Sequence, residues 1–93
     1  MSGGHFDYKQ FAITTIIDSI KQELLLQEKG KPEYGEKYSH ITLLCFERAV
    51  AVLTEASVYA QRIDWLLSGD DSEESFHSRL QNDLADEGLT QVL

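Results

Sequence analysis

Residues 40–67, HITLLCFERAVAVLTEASVYAQRIDWLL, decide the fold. No proline or glycine interrupts them, and apolar side chains return every three or four positions, the spacing of a helical face. At 1.5 Å per residue such a helix runs roughly 40 Å. Ser39 is placed to cap it, with Tyr38 and Leu43 as a hydrophobic staple. The main stripe is Ile41, Cys45, Val52, Ala56, Tyr59, Ile63 and Leu66. A second stripe, Leu43, Phe46, Val50, Leu53 and Val58, lies to its side. Two apolar faces exceed what one short partner helix covers, and Ala49, Ala51, Ala56, Ser57 and Ala60 permit close approach. The pattern predicts that this helix packs on the first helix and, unless a folded-back third helix covers the second face, on another copy of the chain.

Upstream, Asp7 and Gln10 have capping-box spacing, and Phe6 and Phe11 fit a second staple. Ile13, Ile16, Ile17, Ile20 and Leu24 continue as one face, widened by Leu25 and Leu26, until Gly30 stops the helix. Lys29 suits the negative end of its dipole. Pro32 and Gly35 mark a connector up to Tyr38. Downstream, Ser68 and Gly69 end the long helix, and Asp71 with Glu74 has the spacing to cap a third. Phe76, Leu80 and Leu84 form its narrow stripe, Gly88 closes it, and residues 89–93 read as a frayed tail. No strand alternation appears. The expected fold is all-α: one three-helix domain over residues 1–93, with helices at about 8–29, 40–67 and 72–87. The long central helix would assemble into a homo-oligomeric bundle.

Sixteen acidic residues oppose eight basic ones, giving a net charge of −8. The excess is concentrated after Ser68, where Asp70, Asp71, Glu73, Glu74, Asp83, Asp86 and Glu87 face the single cation Arg79. Such a chain repels phosphate backbones at long range, so duplex nucleic acid is not an expected partner. The acidity serves solubility or mimics a polyanion toward a basic protein surface. No run approaches the ~18 apolar residues of a membrane span, and the first residues lack a signal-peptide pattern. With one cysteine, Cys45, the expected location is the cytoplasm.

Little in the sequence points to catalysis. His5, His40 and His77 are scattered without a second ligand at helical spacing, and Cys45 has no cysteine partner. The carboxylates of residues 70–74 lack the ligand order of a calcium loop. His40 and Cys45, five apart on one helix, point in different directions. No phosphate loop or nucleophile motif is present. The expectation is a non-enzymatic protein without cofactor or metal.

Two segments carry more aromatic and polar character than packing requires: residues 5–10, HFDYKQ, and 59–65, YAQRIDW. Phe6, Tyr8 and Trp65 offer stacking faces, while Lys9 and Arg62 offer cations for phosphate. His5 and Asp64 complete the candidate ligand-binding set. The structural alternative makes Phe6 a staple, Tyr59 and Trp65 core residues, and Arg62 the partner of a nearby carboxylate.

The stretches GGHFDYKQ (3–10) and YAQRIDWLLSGDD (59–71) also resemble a family of short, uncharacterised proteins from bacteria and their phages. The likeness extends through Glu74, Phe76 and Leu80 and spans most of the chain, leaving out the linker around Pro32 and the tail after Leu84. It implies a phage accessory role in the host cytoplasm and brings no catalytic residues. By analogy, such proteins counter host defence. The leading expectation is a homo-oligomer that sequesters a small anionic signal such as a cyclic nucleotide in a cleft between copies. The alternative is an acidic inhibitor that covers a basic surface of a host defence or nucleic-acid-binding protein. A third reading is a hydrolase that uses Asp64, Asp70 and a borrowed metal.

Overall fold

The structure, a computed structural model, describes residues 6–31 and 36–88. It is all-helical there, with α1 (Phe11–Glu28), α2 (His40–Leu67) and α3 (Glu73–Asp86) and no strand. Among the described residues α1 and α3 each pack on α2 and do not approach one another. The radius of gyration, 16.2 Å, exceeds the about 12 Å expected of a compact chain this long. The thinnest dimension is 15 Å, close to one backbone cylinder plus one interhelical spacing, so α2 is flanked rather than enclosed.

The core is correspondingly small. Only Ile17, Leu80 and Leu84 are buried apolar residues among those described. Each contributes roughly 1.5–3 kcal/mol on burial. Ile13, Ile20, Leu24 and Leu26 of α1 are half-buried, as is the whole second stripe of α2, Leu43, Phe46, Val50, Leu53 and Val58. The expected main stripe splits instead. Ile41, Cys45, Val52 and Ala56 are exposed, Ile41 at 74%, whereas Tyr59, Ile63 and Leu66 are half-buried. The cause is length: α3 has 14 residues against 28 in α2, so folding back from Gly69 it covers only the C-terminal part.

Helix ends correct two of the expected caps. α1 begins at Phe11, and its N-cap is Gln10 without a side-chain bond. Asp7 does not cap it, because its φ of 54° turns the backbone into the left-handed region. The first amides are satisfied instead by tight turns: Phe11 N–H to Tyr8 O and Ala12 N–H to Lys9 O, each 3.1 Å. With Asp7 removed as cap, Phe6 and Phe11 lose their staple positions, and Phe11 is half exposed. α3 is capped by Ser72, not Asp71: Ser72 Oγ accepts from Ser75 N–H, and Ser75 Oγ accepts from Ser72 N–H. Asp71 is drawn inward by two arginines, described below. Ser39 caps α2 by accepting Thr42 N–H at 3.4 Å, while the Tyr38 ring lies 5.7 Å from Phe46.

Gly69, at φ +84°, ends α2 with its own N–H on Leu66 O and Asp70 N–H on Trp65 O, a left-handed cap that a side chain would strain. Between α1 and α2 one side chain organises the return. Gln27 donates through Nε2 to Glu36 O (2.8 Å) and accepts Tyr38 N–H at Oε1 (3.1 Å). Its Nε2 also reaches Glu23, one turn back.

Candidate functional site

The C-terminal half of α2 carries two polar networks on different sides, because residues 62 and 64 are about 200° apart on a helix. The first is centred on Asp64, which is 3% exposed. Its Oδ1 accepts Phe6 N–H at 2.7 Å and its Oδ2 accepts Gln10 Nε2 at 3.3 Å. The same Gln10 Nε2 donates to Gln61 Oε1 at 3.1 Å. A buried carboxylate thus ties the turn at residues 6–10 to α2 from both ends. That turn is strained, with Asp7 at φ 54° and Tyr8 at φ 63°, neither a glycine. Left-handed non-glycine residues cost of order 1–3 kcal/mol each and persist where the surroundings over-determine them. Asp64 and Gln10 supply that constraint.

What the strained turn presents is an exposed trio. Tyr8 is 56% exposed with its ring centroid 6.0 Å from that of Phe11, and Lys9 between them is exposed. Lys9 lines a shallow depression with Phe6, Asp7, Gln10 and Ala60.

The second network is centred on Arg62, buried on the side facing α3. Its Nη1 lies 3.4 Å from Asp71 Oδ2, and Asp71, with its side chain 1% exposed, also accepts Arg79 Nη1 at 2.7 Å and Ser75 Oγ at 3.3 Å. Arg62 Nε is 2.8 Å from Asp83 Oδ2, close enough for an ionic contact, but its N–H is not directed at that oxygen. The guanidinium carbon stands 4.1 Å from the Trp65 ring centroid, a cation–π contact.

The expected ligand set is therefore divided. Phe6, Tyr8 and Lys9 share the turn, with Asp64 beneath as its anchor. Arg62 is engaged with Asp71 and Asp83, the carboxylate pairing foreseen as the structural alternative, and Trp65 stacks on its guanidinium. His5 lies outside the described residues. Reading the residues alone missed Phe11 as the second exposed ring and Gln10 as a tie to Asp64. It also missed Asp71 as the hub of two arginines. The spacing of Arg79, the lone cation among the final acidic residues, eight positions after Asp71 was the available signal for that hub.

A groove of about 430 Å³ runs between α1 and α3 over α2, with Val58, Gln61 and Trp65 in its floor. Among the described residues no group of three or more His, Cys, Asp or Glu side chains is arranged to hold a metal, and no helix is long and apolar enough to cross a membrane. The chain matches no protein-family model, no curated protein and no solved structure.

Proposed function

We propose that this chain is a non-enzymatic binding protein that sequesters a small anionic, nucleotide-like ligand at the turn over residues 6–11. The observation that carries the reading is the strain of that turn. A tyrosine held at positive φ by a buried carboxylate beneath it is a costly way to end a helix and a good way to fix a recognition surface. Tyr8 and Phe11 supply stacking faces, and Lys9 meets phosphate. Arg62 supports the site indirectly, since its charge is taken up by Asp71 and Asp83. Among the described residues the turn thus brings one exposed cation, Lys9, to the rings, and a ligand with two or three phosphates calls for a second copy. The exposed Ile41, Leu44, Val52 and Ile16 provide apolar surface on which copies can meet.

Isothermal titration against cyclic di- and trinucleotides tests the proposal. Micromolar binding, lost in Tyr8→Ala and Lys9→Glu, is the expected result. Absence of heat with every member at micromolar protein removes it.

A second reading, an acidic inhibitor of a basic protein, is favoured by a separate observation. Asp70, Glu73, Glu74, Asp86 and Glu87 are all exposed, while Arg79 is held on Asp71. Such a complex weakens steeply with salt, and Glu73→Lys with Glu74→Lys disrupts it without affecting nucleotide binding. The resemblance to bacterial and phage proteins accords with either role against a host factor.

A further inference from the structure

The groove between α1 and α3 has a chemistry opposite to that of the turn. Phe11, Val58 and Trp65 give its α1 wall and floor apolar patches, set among the neutral polar side chains of Thr14, Ser57 and Gln61. Its other wall carries Asp83, which is paired with Arg62, and Asp86 and Glu87, and among the described residues no lysine, arginine or histidine lines it. At the α1 end stands Gln10, 7% exposed, whose carbonyl Oε1 has no donor. Its amide cannot be reversed to cure this, because Nε2 is the end that Asp64 and Gln61 both need. A buried acceptor without a donor costs of order 1–3 kcal/mol.

We propose that this groove is a socket for an arginine side chain presented by a basic partner, an inference that rests on the second reading above and gives it a defined site. The methylene stem of an arginine lies on Val58 and Phe11, as long cationic side chains cover apolar surface while their heads stay polar. The guanidinium then meets Asp86 and Glu87 and supplies the donor that Gln10 lacks. Arginine suits this better than lysine: its planar fork engages two acceptor groups at once and packs flat against rings, whereas an ammonium is a compact, strongly hydrated point charge.

Trp65 is the chain's single tryptophan and lines the groove, so its emission changes when the groove is filled. The experiment titrates the full chain with hexa-arginine and hexa-lysine peptides, followed by calorimetry and Trp65 fluorescence. Asp86→Asn with Glu87→Gln is compared with Glu73→Gln and Glu74→Gln in the first turn of α3. Hexa-arginine is expected to shift Trp65 emission saturably and to bind more tightly than hexa-lysine. The groove pair should weaken it about tenfold, the cost of one charge-assisted hydrogen bond, and the first-turn pair, which belongs to the wider acidic surface and adds only long-range attraction, about threefold. Heat without a change at Trp65, equal effects of the two pairs, or equal affinity for both peptides overturns the socket while leaving an acidic docking surface. No heat from either peptide at low salt overturns the second reading together with the socket.

Discussion

Replacing Asp71 by alanine tests whether the hub described above holds α3 in place. Its carboxylate is almost wholly buried and accepts from Arg62, Arg79 and Ser75. Removing one partner of a buried pair costs about 3–5 kcal/mol, because the other charge is left uncompensated. Two features lower that figure here. Arg62 keeps Asp83 within 2.8 Å, and Arg79, at 57% side-chain exposure, is rehydrated when released and adds at most about 1 kcal/mol. The expected loss is roughly 2–4 kcal/mol, to be measured by urea unfolding followed by Trp65 fluorescence and by circular dichroism. Asp70→Ala, one position away and exposed, should stay within about 0.5 kcal/mol. The double replacement Arg62→Met with Asp71→Leu should recover more than half of the loss, since apolar side chains of similar bulk carry no desolvation cost. A loss below about 1 kcal/mol for Asp71→Ala, or one equal to that of Asp70→Ala, would refute the hub.

Other perturbations separate the remaining elements. Asp64→Ala should cost about 2 kcal/mol and abolish hydrogen-exchange protection of the Phe6 amide; protection that survives means the turn is held by something else. Ser72→Ala should cost about 1 kcal/mol in thermal unfolding and melt the first turn of α3, because Ser72 rather than Asp71 is its cap. Ile41→Ser with Val52→Ser should lower the sedimentation-derived mass while leaving helical ellipticity unchanged, both side chains being exposed in the single chain. An unchanged mass sends the contact between copies to another face.

Helical periodicity made the three helices legible because it records burial, and burial of one face is what holds a helix in a fold. Leu80 and Leu84 followed their stripe into the core for that reason. Ile41, Cys45, Val52 and Ala56 have the same periodicity and stay exposed, since a stripe says that a face is apolar and not which neighbour is long enough to reach it. The caps at Asp7 and Asp71 failed on a different point. Local spacing cannot anticipate that a carboxylate or amide has a stronger partner on another element, nine and eight positions away for Asp71 with Arg62 and Arg79 and 54 for Gln10 with Asp64. For the candidate site, residue type was informative and grouping was not. Tyr8 and Lys9 came together because they share one turn, and Arg62 and Trp65 because they lie one helical turn apart, whereas Asp64 is parted from that pair by its angle around α2.

Gln27 has a consequence for how the chain tolerates change. One amide grips both sides of the approach to α2, and the left-handed cap at Gly30 independently closes α1. The hairpin of the two long helices is thus latched at residues on either side of the connecting span. Lengthening that span with glycine and serine should add only loop-closure entropy, about 0.6 kcal/mol per doubling. Exchanging Gln27 for alanine removes both bonds at once and should cost about 1–2 kcal/mol.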